Sequence, residues 1–277
     1  MDIKVIKNVS EVFAGYDAFI IDLWGVVHDG LEPLPHSIEV LKMLKKAKKK
    51  ICFLSNAPRR ANSVAESLKS MGVTQYLYDH ILTSGEATFQ ALDSKLLDKF
   101  GEKCLHLGPE KNNGVFEGLD IELVETVAQA DFILASGVYD DGDIADIYKP
   151  LLKEAADKKI PMICSNPDRI VHIGDSLVLC PGTLADLYAE YDGEVIYYGK
   201  PYRDVYSKCF ELLGTKNILA IGDSYLNDIK GAFGMGIDSL FISSGIHRDE
   251  VNYDDLGSFL SKFPFKATYI SREFKWE

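Results

Sequence analysis

Ala18-Phe19-Ile20-Ile21-Asp22-Leu23-Trp24-Gly25-Val26 is the stretch from which the fold is read. Four consecutive apolar residues predict a strand buried on both faces, the signature of a parallel sheet covered by helices. A carboxylate stands where that strand ends, and a glycine comes soon after. Outward from it, Ile38, Leu41 and Leu44 recur at helical spacing, and Ile51-Cys52-Phe53-Leu54 forms a second short apolar run. A helix carrying Val64, Leu68 and Met71 closes at Gly72, and Ile81-Leu82 gives a third strand. Near the other end the rhythm returns with Val195-Ile196-Tyr197-Tyr198, Ile218-Leu219-Ala220-Ile221 and Leu240-Phe241-Ile242, separated by helical segments. Alternating strand and helix predicts an α/β fold, a doubly wound parallel sheet. Cys104-Leu105-His106-Leu107, Phe132-Ile133-Leu134-Ala135 and Met162-Ile163-Cys164 repeat the pattern in the middle. They predict a second α/β domain, at residues 88–192, inserted into a core made of residues 1–87 and 193–277.

Composition narrows the function classes. The 277 residues are 47% hydrophobic and 26% charged, ordinary for a globular protein. Thirty Lys and Arg against 42 Asp and Glu give a net charge of −12. A chain this acidic repels nucleic acid and anionic membrane, so neither is an expected partner. The lysine run from Lys42 to Lys50 reads as the solvated face of a helix. The five cysteines form no paired motif, and no signal peptide or membrane-spanning run is present in the sequence, so a reducing cytoplasm is expected. Gly231, Gly234 and Gly236 do not match a dinucleotide fingerprint and read as helix-end and turn glycines.

Chemistry is expected where parallel strands end. The apolar runs end in Asp22-Leu23-Trp24, in Ser55-Asn56-Ala57, in Gly199-Lys200-Pro201 and in Gly222-Asp223-Ser224, with Asp228 a helical turn later. Three carboxylates, one ammonium and one hydroxyl are thus predicted at one edge of one sheet. Asp22 and Asp223 suit a hard cation such as Mg²⁺, and a carboxylate can also attack phosphorus. Lys200 would offset anionic repulsion, and Ser55 with the N–H groups after it can hold phosphoryl oxygens. Asp228 suits a position behind the metal ligands.

These segments resemble the motifs of the haloacid dehalogenase superfamily. Asp22-Leu23-Trp24-Gly25-Val26 is similar to its first motif, Ser55-Asn56 to its second, Lys200 to its third, and Gly222-Asp223-Ser224 through Asp228 to its fourth. Ser165-Asn166-Pro167-Asp168, Pro181-Gly182-Thr183-Leu184 and Gly199-Lys200-Pro201 resemble the NagD-like class IIA branch, whose C2-type cap falls between the second and third motifs. The resemblance implies a Rossmann-like core with an inserted cap. It further implies a Mg²⁺-dependent phosphohydrolase acting on a small phosphorylated metabolite, such as a sugar or aryl phosphate, through an aspartyl-phosphate. Asp22 would be the nucleophile and a metal ligand, with the Trp24 carbonyl and Asp223 as further ligands. Ser55, Asn56 and Lys200 would bind the phosphate, and a homodimer is an expected partner.

One position departs from the pattern. Trp24 stands where phosphatases of the superfamily carry an Asp that protonates the leaving oxygen and activates water. An indole can do neither. General acid–base catalysis contributes about 10²–10⁴-fold, so its loss weakens rather than abolishes turnover. His28 and Asp29 are the nearby residues that could substitute. Two alternatives stand beside the phosphatase: a metal- or phosphate-binding pseudo-phosphatase, and a dehalogenase-like hydrolase, since dehalogenases carry an aromatic residue at this position. In the inserted segment, Arg169 and His172 are candidates to meet a polar substrate tail, and Asp168 a contact between cap and core.

Overall fold

The computed structural model describes residues 3–140, 142–173 and 176–277. The chain divides into two compact units, one of Met1–Ser55, Ala65–Leu82 and Lys200–Glu277, the other of Asn56–Val64 and Thr83–Gly199.

The first unit is built on a seven-stranded sheet. Its order is Lys4–Val5, Tyr269–Ser271, Asp238–Ile242, Ile218–Gly222, Ala18–Ile21, Lys50–Ser55 and His80–Thr83. Ala18–Ile21 lies at the centre of the chemistry-bearing strands and is buried at every residue. It pairs in parallel with Lys50–Ser55 on one side and Ile218–Gly222 on the other, with Ile21 level with Phe53 and Ile221. The helix Ser37–Lys46 makes the crossover between the first two, burying Val40, Leu41 and Leu44. Of the lysine run read as one helix face, only Lys42, Lys45 and Lys46 lie on this helix; Lys48, at φ 58°, and Lys49 follow its end, and Lys50 opens the strand Lys50–Ser55. Lys45 pairs with Asp79 at 2.7 Å. Among the described residues no helix is long and apolar enough to cross a membrane. All five cysteines are free and buried.

The second unit has its own parallel five-stranded sheet, in the order Val195–Tyr197, Met162–Cys164, Phe132–Ala135, Lys103–Leu107 and Glu122–Leu123. Phe132 and Leu134 pack into one apolar cluster, Ile133 and Ala135 into another. That alternation is what a strand covered on both faces requires. An antiparallel pair, Ile170–Ile173 with Ser176–Leu179, forms a separate ribbon.

Two sequence expectations are corrected here. Val195–Tyr197 was expected in the same sheet as Ala18–Ile21; it is instead an edge strand of the second unit. Its backbone pairs with Met162–Cys164, and Ile196 and Tyr198 pack with Phe132 and Ile163. The change of unit comes after it, between Gly199 and Lys200. Gly231 and Gly234 lie inside the helix Lys230–Met235, and only Gly236 ends it, at φ 69°. Gly231 is small for a packing reason: a Cβ there would sit 2.3 Å from the Tyr206 ring.

Candidate active site

Asp22, Ser55 and Asp223 emerge at the carboxyl ends of three adjacent parallel strands, at Ile21, Lys50–Ser55 and Ile218–Gly222. Neighbouring strands lie about 5 Å apart, so topology alone brings these residues together. Asp228 reaches the same edge from the wide helical turn Tyr225–Ile229 that comes after Asp223. Oxygen atoms of Asp22, Asp223 and Asp228 lie within 4.8 Å of one another, and all three residues are buried.

Lys200 enters this group although its preceding strand belongs to the other sheet. Its Nζ lies 2.6 Å from Asp22 Oδ1 and donates to Asp228 Oδ1 at 2.8 Å. Only 2% of Lys200 is exposed. Charge-assisted contacts of this length are the strong kind, and burial keeps solvent from screening them. Lys200 thus contacts two of the three carboxylates. Burial pushes the Asp223 carboxyl well above its usual range, and the neighbouring Asp22 and Asp228 charges push it further. Burial and the Asp22 charge likewise raise Asp228, against the lowering contact from Lys200.

Backbone and glycines shape the cradle. The Ile246 N–H donates to Asp223 Oδ2 at 2.7 Å, and the Ser224 N–H to Asp228 Oδ2 at 3.1 Å. A Cβ on Gly245 would lie 1.9 Å from Asp223 Oδ2, one on Gly25 would lie 2.1 Å from it, and one on Gly222 would lie 2.0 Å from Asp228 Cγ. Only glycine admits the carboxylates at these points. Gly245 and Ile246 are the site residues that sequence reading missed; the one signal was a Gly soon after the apolar run Leu240-Phe241-Ile242.

The loop after Asp22 is a closed turn. Leu23 O accepts from the N–H groups of Val27 and His28, and Gly25 N–H donates to His28 O. The Trp24 ring meets His28 edge-on, with centroids 5.5 Å apart, and lies so close to Gly30 that a Cβ there would be 2.3 Å from it. His28 Nδ1 accepts the Gly30 N–H at 2.9 Å, which places the neutral ring's proton on Nε2. Asp29 accepts the Leu31 and Glu32 N–H groups, and these bonds hold its carboxyl below the usual range. An exposed carboxylate stabilised as an anion is a poor proton donor.

The remaining expected residues fall in the second unit. Asn56 is 3% exposed, and its amide donates to Asp168 Oδ1 at 2.8 Å. Arg169 pairs with Asp186 at 2.6 Å. The His172 side chain lies outside the described residues.

Buried hard-oxygen donors thus converge beside an ammonium at the edge of a parallel sheet, and known proteins say which class of protein carries them. A family model described as haloacid dehalogenase-like hydrolase matches residues 19–122, and a second, HAD-hydrolase-like, matches residues 197–272. The chain belongs to the haloacid dehalogenase-like hydrolases. It is similar to a haloacid dehalogenase-like hydrolase from Brucella suis 1330, with a TM-score of 0.85 at 28% identity over 98% of this chain and all of that one. The 5'-nucleotidase YutF of Bacillus subtilis is 24% identical over 249 residues, 87% of this chain and 92% of the relative. The p-nitrophenyl phosphatase from Archaeoglobus fulgidus has the same fold, with a TM-score of 0.72 at 23% identity, covering 93% and 96% of the two chains.

Proposed function

We propose that this chain is a Mg²⁺-dependent phosphohydrolase of the NagD-like class IIA branch, acting on a small phosphorylated metabolite. In this reading the first unit is the catalytic core and the second its cap. The observation that carries it is the buried cluster of Asp22, Asp223 and Asp228 with Lys200 bridging two of them. The donor set is three converging carboxylates, all oxygen, which suits a small hard cation. Asp22, Asp223 and the Trp24 carbonyl would hold it, with Asp228 behind them. When bound, the ion supplies positive charge to the phosphoryl oxygens.

Asp22 attacks phosphorus through a carboxylate oxygen as the P–O ester bond breaks, its electron pair leaving on the alcohol oxygen, and an aspartyl-phosphate forms; water then attacks phosphorus, the bond to Asp22 breaks, and inorganic phosphate and the free carboxylate result. Lys200 draws charge from the phosphoryl group and holds Asp22 in place. Ser55 and the N–H groups after it bind the remaining phosphoryl oxygens. Trp24 gives the leaving oxygen no proton, so esters with acidic leaving groups, such as aryl phosphates, are the preferred substrates. Hydrolysis of 4-nitrophenyl phosphate with Mg²⁺ tests this. Wild type is expected to turn over and Asp22→Asn to fall to background; equal background rates over a broad ester panel would favour a binding protein without turnover.

A further inference from the structure

The chain passes between the two units at Ser55/Asn56, at Leu82/Thr83 and at Gly199/Lys200, besides once within the helix Ala61–Ser70. Three residues at or just beyond those first three passages meet in one polar knot. Ser84 Oγ donates to Asn56 Oδ1 at 3.2 Å. Gly199, at φ 135°, runs so close that a Cβ would be 2.2 Å from Ser84 Oγ and 2.6 Å from Asn56 Oδ1. A fourth residue, Asp168, comes from elsewhere, the connection after Met162–Cys164, and accepts the Asn56 Nδ2–H at 2.8 Å.

Asp168 is itself fixed. Its N–H donates to Asn166 Oδ1 at 2.9 Å, and its carbonyl accepts the Gly182 N–H at 2.9 Å. Gly182 packs so tightly on this turn that a Cβ would lie 2.5 Å from the Asp168 carbonyl oxygen. A carboxylate only accepts, so it dictates which face of the Asn56 amide points toward it, and Ser84 takes the other. Asn56 and Ser84 are buried, at 3% and 0% exposure, so an amide left without that acceptor would be costly.

We propose that Asp168 is a positioning residue: by locking the Asn56 amide within the knot of Ser84 and Gly199, it sets the chain ends from which Ser55 and Lys200 enter the catalytic edge. Its kinetic consequence rests on the phosphohydrolase reading; the positioning itself does not. A displacement of about 1 Å at a reacting group can cost on the order of 10²-fold in rate. Asp168→Ala is therefore expected to lower kcat for 4-nitrophenyl phosphate by about 10- to 100-fold. Asp168→Asn, turned so that its amide oxygen still accepts from Asn56, should recover most of that. In a double-mutant cycle, Asp168→Ala on an Asn56→Ala background should add little, because both remove one link.

Hydrogen–deuterium exchange reads the positioning without any turnover. Asp168→Ala should speed exchange in peptides spanning 54–58 and 198–202, and Asp168→Asn should not. Unchanged exchange there overturns the proposal. So does full kcat in an Asp168→Ala variant whose melting temperature alone has dropped, or additive losses in the cycle. A wild type inactive on every ester refutes the phosphohydrolase reading instead, and the exchange data still decide for Asp168.

Discussion

Replacing Lys200 with Met removes the ammonium that contacts two of three clustered, buried carboxylates. The ammonium lies 2.6 Å from Asp22 and 2.8 Å from Asp228, and it is 2% exposed. Breaking one partner out of a buried ion pair costs about 3–5 kcal/mol, because the remaining charge stays buried without compensation. The first unit is about the size for which 1 kcal/mol moves the melting temperature by about 2–4 °C, so Lys200→Met should melt roughly 6–20 °C lower. The double variant Lys200→Met/Asp228→Asn removes one of the stranded charges as well, and should regain part of that loss. Differential scanning calorimetry of the four proteins in metal-free buffer gives the coupling directly. A Lys200→Met shift below about 2 °C, or simple additivity with Asp228→Asn, would refute the idea that Lys200 holds the carboxylates together.

Three further outcomes are expected. Trp24→Asp should raise turnover of alkyl phosphates by up to about 10²–10⁴-fold, as measured by phosphate release, and should shrink the phosphoenzyme pool formed from 4-nitrophenyl phosphate; unchanged or lower turnover would mean that an acid–base group is not what position 24 lacks. Gly245→Ala puts a methyl 1.9 Å from Asp223 Oδ2 and should abolish the rise in melting temperature that Mg²⁺ gives the wild type; retention of that rise would remove Asp223 from the metal site. Burial lowers the His106 pKa from 6.5 to about 4, so between those values the unfolded chain binds a proton that the folded one does not. Stability then falls with falling pH across that window, by about 3 kcal/mol from this group, and His106→Gln should lose that component in urea titrations at pH 7 and pH 4.

Much of the site could be read from sequence because parallel strands buried on both faces appear as unbroken apolar runs, and the residues just past each run form the sheet's functional edge. Asp22, Ser55, Asp223 and Asp228 were identified that way, and the structure brings the three carboxylates to one place. Periodicity does not say which sheet a run joins. Val195–Tyr197 carries the same pattern as a strand of the first sheet and pairs in the second, since partner choice is set by contacts far along the chain. Glycines were the other blind spot. Gly25, Gly222 and Gly245 matter for what would collide with a side chain, and neighbours such as Asp223 are distant in sequence. The side-chain amide of Asn56 is engaged by Asp168 and Ser84, a network that no spacing rule encodes.

The central claim is that Asp22 carries the phosphoryl group. Without an acid at position 24 to assist turnover, that intermediate should accumulate. Acid quenching during hydrolysis of 4-nitrophenyl phosphate with Mg²⁺, then peptide mass spectrometry, is expected to find one phosphoryl group on the Asp22 peptide of the wild type and none in Asp22→Asn. Steady hydrolysis by the wild type with no phosphorylated Asp22 peptide at any quench time, and an Asp22→Asn variant that hydrolyses as fast, would contradict it.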